Sequence, residues 1–502
     1  MTYNASLIVD RQVEAGRGDK PAFVAPDATL TYDALRRQVN RMGNLLRSLG
    51  VGREQRVLLV LDDTTAFPLA FLGAMRIGAV PVPVSALDKA DNFRHYVEDS
   101  YATVVFTDAP TLPRLQEALA GMPLRYLVPG GELDAALAAQ EDELDPVAMH
   151  RDDMAFWLYS SGSTGKPKGV VHLQHDIEFT CDTYARQVLG LREDDVTFST
   201  TKLFHAYGLG NGLSFPLWFG ATSVLKAGRP TPDTLLATLR ERRPTVFFSV
   251  PALYGLLVRD PAADGAFDSV RMCVSAAEAL PPQTAERWKE RFGLDIIDGI
   301  GSTEMLHIYC SNAPDRVEPG TTGRPVPGYE LRLVDEAGRE LEGAAEGGLE
   351  VRGDSCAAFY WHQHEKTKSC MRGDWFASGD RYQRREDGAY IYVGRMDDML
   401  KVGGLWVSPI DMEHVLLQHP RVTGVGVVGV TVEDVSRVAA FVEAEGDGDE
   451  TLAGELRAFC KERMRRYEYP HVVEFVDELP RTLTGKVQRF RLRELAEERA
   501  PA

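Results

Sequence analysis

In the segment TYDALRRQVNRMGNLLRSLG, apolar residues fall at Leu35, Val39, Met42, Leu46 and Leu49. Steps of three and four place them on one face of a helix, with Thr31 positioned to cap its start and Gly50 to follow its end. RVLLVL, the next apolar run, suits a buried strand; Thr64 to Ile77 returns to helical spacing, and GAVPVPV is again a strand. Strand, helix, strand at this spacing predicts a parallel sheet covered by helices. Similar alternation continues to about residue 395, and beyond GRMDDML the pattern changes. There VTGVGVVGV, RVAAFVEA and HVVEFV read as strands, with a helix over 452–466. The expected fold class is α/β: a large multi-layer N-terminal domain with parallel sheets over 1–396, and a small α+β domain over 397–502. The chain holds no internal repeat.

Composition narrows the partners. A chain of 502 residues exceeds what one hydrophobic core supports, in keeping with two domains. The formal net charge of −18 argues against nucleic acid or an anionic membrane as partner, so any anionic ligand must be met by local cations and backbone N–H groups. Six scattered cysteines without a CxxC pair suggest neither a disulfide framework nor a structural zinc. The N-terminus lacks the basic start and apolar core of a signal peptide, and no apolar run reaches the ~18 residues of a membrane span. The expectation is a soluble cytoplasmic protein.

One loop carries candidate chemistry. The apolar run MAFWLY empties into YSSGSTGKPKGVVH, residues 159–172. Gly162, Gly165 and Gly169 let the backbone approach an anion, Ser160, Ser161, Ser163 and Thr164 can donate to its oxygens, and Lys166 and Lys168 can neutralise it. A Walker A loop needs Ser or Thr after its lysine; Lys166 is followed by Pro167, which excludes that reading. Composition alone leaves a phosphate cradle and a plain surface turn both open.

DGIGSTEM (298–305), SGDRY (378–382), GRMDDMLKVGGLWVSP (394–409) and PRTLTGKVQR (480–489) follow in that order. Together with the loop they resemble the signature set of the adenylate-forming superfamily of acyl-CoA synthetases, adenylation domains and luciferases. The resemblance implies that ATP phosphates sit on the loop while a carboxylate attacks the α-phosphate and pyrophosphate departs. It implies that Thr303 contacts the α-phosphate, Glu304 helps hold Mg²⁺, and Asp298 reads the adenine amino group beside Gly299, Ile300 and Gly301. Ala277, Glu278 and Ala279 match the segment packing beside adenine, with Ala277 where relatives usually carry glycine. Asp380 matches the carboxylate that accepts both ribose hydroxyls, and Arg395 supports ribose and phosphates. Lys486 matches the lysine bridging the carboxylate and the nucleotide, Asp397 the pivot on which the small domain swings, and Gly403 and Gly404 a narrow path for the phosphopantetheine arm. Trp406 stands where some relatives carry a cation.

KLFHAYGLGNGLSFP (202–216) matches the stretch lining the acyl pocket, and no acid there could pair with an α-ammonium group. His205 is expected at the carboxylate end of the pocket, against the alternative of a structural histidine. The stretches after Asp298, Gly394 and Tyr469 are most similar to benzoate-CoA ligases and their aryl-acid relatives, which implies a flat pocket of Ala206, Tyr207, Gly208, Ile300, Gly301, His307 and Ile308. The implied activity is ATP- and Mg²⁺-dependent ligation of benzoate, or a small amino- or hydroxybenzoate, to CoA, by a monomer or homodimer. Two alternatives stand beside it: an adenylating enzyme that loads a carrier-protein phosphopantetheine, and a non-catalytic nucleotide-binding protein of the same fold.

Overall fold

A computed structural model describes residues 3–160, 166–396, 398, 400–402, 405–432, 435–446, 448–464, 469–481 and 487–499. The chain forms two compact units, Met1–Leu331 with Val351–Phe376, and Arg332–Glu350 with Ala377–Ala502.

The helix read from the first periodic segment is Tyr32–Ser48, started by Thr31, whose hydroxyl oxygen accepts the Ala34 N–H at 3.2 Å. Leu35, Val39, Met42 and Leu46 are buried on one face, and Gly50 follows the helix with φ +81°. A second helix, Ala66–Arg76, packs closely beside it: a Cβ on Gly73 would lie 2.5 Å from Met42 Cγ. Strands Arg56–Val60 and Val80–Pro83 flank that helix in sequence and pair in parallel, joined by Val104–Thr107 and Arg125–Leu127 in a four-stranded sheet.

A nine-stranded sheet forms the centre of the first unit. Six of its strands run parallel in the order Ile296–Gly301, Met272–Ser275, Val246–Ser249, Val196–Ser199, Thr222–Val224 and Pro21–Val24. Ile308–Ser311 and Arg324–Pro325 extend one edge antiparallel, and Thr29–Thr31 the other. Phe198, Leu235, Leu239, Phe247, Tyr254, Phe267 and Trp288 fill one of its cores. A third sheet joins Met154–Ser160, Lys168–Leu173 and Phe359–Tyr360, all antiparallel.

The expected alternation up to residue 395 stops earlier. Strands Glu330–Val334, Glu340–Leu341, Ala345–Arg352, Trp375–Arg384 and Tyr390–Arg395 have one short helix between them, His364–Cys370. Turns with Gly338, Gly343 and Gly388 at positive φ reverse the chain too sharply for a crossover helix. Within the second unit, Val422–Val432 and Val435–Ala444 form an antiparallel hairpin, with Val472–Phe475 parallel to its second strand. The helix expected over 452–466 begins earlier, as Glu450–Arg463, because the Asp449 carboxylate caps it by accepting the Leu452 N–H at 2.8 Å.

Candidate active site

Parallel strands deliver their carboxyl ends to one edge of a sheet, where ligands of open α/β folds bind. Ser249, Ser275 and Asp298 are neighbours in register at that edge. Burial pushes the Asp298 carboxyl well above the usual carboxylate range, offset in part by the Ser275 side chain and the Gly299 N–H. Its Oδ1 is buried without a hydrogen-bond partner among the described residues. A buried polar atom left in this way marks a place for a donor from elsewhere, such as a ligand amine. Beside it, Ala277 adopts φ +81°, a left-handed conformation that suits glycine and strains alanine, and Glu278 and Ala279 complete the bend.

The strand ending at Ser160 pairs with the strand beginning at Lys168, so the loop leaves and re-enters one ladder. Ser160 Oγ is buried without a hydrogen-bond partner among the described residues, Lys166 is exposed, and the Lys168 ammonium lies 4.6 Å from the centre of the Tyr360 ring. Tyr360 in turn donates to Glu304 Oε1 at 2.7 Å, and burial with the Glu304 charge raises the phenol far above its ordinary range. The Ala357 N–H donates to the Glu304 carbonyl at 2.7 Å, and the Thr303 carbonyl lies 2.8 Å from His172 Nε2. Lys168, Thr303 and Glu304, distant in sequence, are thus linked through Tyr360 and His172, which sequence reasoning missed. One signal was available: a histidine inside the apolar run GVVHL of a buried strand requires a polar partner.

A cluster of rings packs around His307, next to the strand that carries Asp298. The His307 ring sits 5.5 Å from Tyr207, 5.3 Å from Tyr184 and 4.6 Å from Phe215, and its Nε2 lies 3.2 Å from Asn211 Oδ1. Burial lowers His307 to about 3, with the Tyr207 backbone opposing, so the ring is neutral. Tyr207 Oη donates to the Val274 carbonyl at 3.2 Å, fixing the Ala206–Leu209 helix to the sheet beneath. Glycines admit this packing: a Cβ on Gly210 would meet His307 Cδ2 at 2.5 Å, and one on Gly208 the Lys202 carbonyl at 2.0 Å. Gly299, Ile300 and Gly301 pair with Ser311, Cys310 and Ile308, which brings Ile308 and His307 against the strand that carries Asp298. His205 stands at the start of its helix with its ring 4.1 Å from Phe204.

In the second unit, Arg395 Nη1 donates to Asp380 Oδ1 at 3.0 Å, across paired strands. Ser161, Gly162, Ser163, Thr164, Gly165, Asp397, Gly403, Gly404 and Lys486 lie outside the described residues. Among the described residues no group of three or more His, Cys, Asp or Glu could hold a metal. Glu304 makes no hydrogen bond through Oε2 among the described residues. A single carboxylate completed by substrate phosphates suits Mg²⁺, which favours oxygen donors and keeps part of its water shell. No described helix is long and apolar enough to cross a membrane.

The sheet with Ser249, Ser275 and Asp298 at the carboxyl ends of its parallel strands, together with a smaller second unit, has the fold of an adenylate-forming enzyme. Residues 9–361 match the AMP-binding enzyme family and 411–486 its C-terminal domain, and the chain belongs to that family. It is 45% identical to the benzoate–CoA ligase of Thauera aromatica, over 98% of this chain and 96% of that one. The crystal structure of a benzoate CoA ligase from Burkholderia xenovorans LB400 is 43% identical and superposes with a TM-score of 0.93, covering 98% of this chain and all of that one. An anthranilate CoA ligase in complex with anthranoyl-AMP is 38% identical with a TM-score of 0.94, covering 99% and 98%.

Proposed function

We propose that this protein is an AMP-forming aryl-CoA ligase. It takes benzoate, or a small amino- or hydroxybenzoate, and ATP to aryl-AMP and pyrophosphate, then passes the aryl group to the CoA thiol with release of AMP. The observation that carries this reading is one of adjacency. The Asp298 carboxylate oxygen, without a hydrogen-bond partner among the described residues, and the ring cluster around His307 meet at a single strand, Ile296–Gly301.

The first step joins two anions, so it needs cations and donors arranged before the reaction begins. Ser160 to Gly165, Lys166 and Lys168 hold the departing phosphates, Thr303 donates to the α-phosphate, and Glu304 holds Mg²⁺. Mg²⁺ shields the phosphate charge when bound. Asp298 accepts from the adenine amino group next to Ala277–Ala279, and Asp380 with Arg395 takes the ribose. The acid lies flat between Tyr207, Gly301, His307 and Ile308, its carboxylate towards His205 and Lys486. In the second step the C-terminal domain turns at Asp397, and Gly403 and Gly404 border the pantetheine path.

Pyrophosphate release with benzoate, its amino and hydroxy derivatives, cinnamate and a medium-chain fatty acid tests the acid; free CoA against a holo-carrier protein tests the acceptor. Benzoates and free CoA are expected to turn over best. Preference for the fatty acid, or thioester formation on the carrier protein alone, would overturn the reading.

A further inference from the structure

Three successive carbonyls of the turn after Ser302 are held from behind. Thr303 O lies 2.8 Å from His172 Nε2, Glu304 O accepts the Ala357 N–H at 2.7 Å, and Met305 O accepts the Ser355 hydroxyl at 2.9 Å. Ser355 is braced in turn by Tyr329 Oη at 2.7 Å. The turn also contains Leu306 at φ +63°, a conformation a branched side chain keeps only where its surroundings over-determine it. Two of the three contacts come from residues 355–357. The third comes from a side chain on the strand that leaves the phosphate loop.

That side chain has one way to satisfy both neighbours. A carbonyl has no proton to give, so His172 Nε2 must donate to Thr303 O. His172 Nδ1 lies 2.7 Å from Asp176 Oδ2, the same oxygen that accepts the Leu173 N–H at 3.1 Å. A proton shared between Nδ1 and Asp176 locks the ring orientation, much as a carboxylate orients a ligating or catalytic imidazole. Both side chains are fully buried, and the ring stacks on Phe156 at 5.2 Å and 22°. His175, on the far side of Asp176, places Nε2 3.4 Å from Asp176 Oδ1 while spanning the Arg151 and Asp354 carbonyls at 2.9 Å each.

We propose that His172, oriented by Asp176, is a positioning residue for nucleotide activation: it ties the turn bearing Thr303 and Glu304 to the strand that follows the phosphate loop, so the two phosphate-facing segments keep one spacing. The role rests on the functional reading above, in which Thr303 and Glu304 face the nucleotide. Its weight falls on the first half-reaction, where the turn and the phosphate loop act together on the triphosphate; acyl transfer from aryl-AMP to CoA keeps only the α-phosphate contact of Thr303.

The test uses the full-length enzyme. His172→Phe alone strands the Asp176 charge, so the informative variant is His172→Phe/Asp176→Asn, which keeps the ring stack and an acceptor for Leu173. A companion, His172→Gln, retains an amide N–H for the Thr303 carbonyl. In the double variant, kcat for aryl-acid-dependent pyrophosphate release is expected to fall about 10²-fold, with the KM for the acid and thioester formation from supplied aryl-AMP and CoA each within about twofold of wild type. His172→Gln is expected to recover part of the loss. Equal losses in both half-reactions, or none in a folded double variant, would overturn the positioning role. Wild-type enzyme that released no pyrophosphate with any aromatic acid would overturn the functional reading, and this role with it.

Discussion

Tyr360 donates a 2.7 Å hydrogen bond to Glu304 Oε1 and carries the Lys168 ammonium over its ring. One phenol thus fixes the carboxylate of the DGIGSTEM segment and the last lysine of the phosphate loop. Tyr360→Phe keeps the ring under Lys168 and frees Glu304. Loss of a partner that orients a metal-binding carboxylate costs about 10–100-fold. The variant is expected to need more Mg²⁺ for half-maximal pyrophosphate release, which a Mg²⁺ titration at saturating ATP measures.

Asp380 faces Arg395 at 3.0 Å, and an ionised carboxylate can accept from two hydroxyls at once. Asp380→Asn replaces one acceptor with a donor. A hydrogen bond to a charged group is worth about 1.5–3 kcal/mol, so the KM for ATP should rise at least tenfold while the KM for the aromatic acid stays put. Steady-state kinetics with each substrate varied in turn separate the two.

His307 makes stability depend on pH in a defined direction. Burial holds its folded pKa near 3 against 6.5 when free. Below 6.5 the unfolded chain binds a proton that the folded chain refuses, so stability falls as pH drops from about 6.5 towards 3. At pH 5 the loss is about 2 kcal/mol. His307→Phe should flatten the decline in urea stability between pH 7.5 and pH 5 by about that amount; an unchanged slope would show that the ring is protonated when folded.

Ala277 adopts φ +81° beside the proposed adenine position. A side chain in the left-handed region costs about 1–2 kcal/mol, partly offset by the greater freedom glycine gains on unfolding. Ala277→Gly should therefore raise stability by up to about 1 kcal/mol and leave the ATP KM equal or lower. Calorimetry and initial rates check both halves.

In the second unit, Arg489 grips both oxygens of Glu413 at 2.7 Å, while the Val427 N–H donates to Glu413 Oε1 at 2.7 Å. Burial raises the Glu413 carboxyl and Arg489 counters it. Arg489→Met leaves that charge buried alone, which costs about 3–5 kcal/mol. Limited proteolysis should then cut within 410–499 before any site in residues 9–361.

The periodic helices and apolar strands were legible because burial of one face leaves a spacing that can be counted, as at Leu35, Val39, Met42 and Leu46. The run of strands over 330–395 was not, since its apolar segments look like those before them and only the tight turns between them exclude crossover helices. The motif residues stood out by type and order. The network behind them did not: Tyr360 meets the Glu304 carboxylate across 56 positions, and His172 meets Thr303 across 131 through a backbone carbonyl. A carbonyl is present at every position and so leaves no trace in residue identity. His307 was named as a pocket residue, but its Asn211 contact and its cage of three rings depend on packing that spacing does not encode.

Ser160 and Lys168 sit opposite one another across their ladder, so the two points from which residues 161–167 depart are held at a fixed separation. That separation is set by the buried strand pair beneath and not by the residues it carries. Substitutions between the two ends should therefore change what is gripped without disturbing the ladder, whereas a proline or a charge placed within Phe156–Leu158 or Val170–His172 would loosen both ends at once.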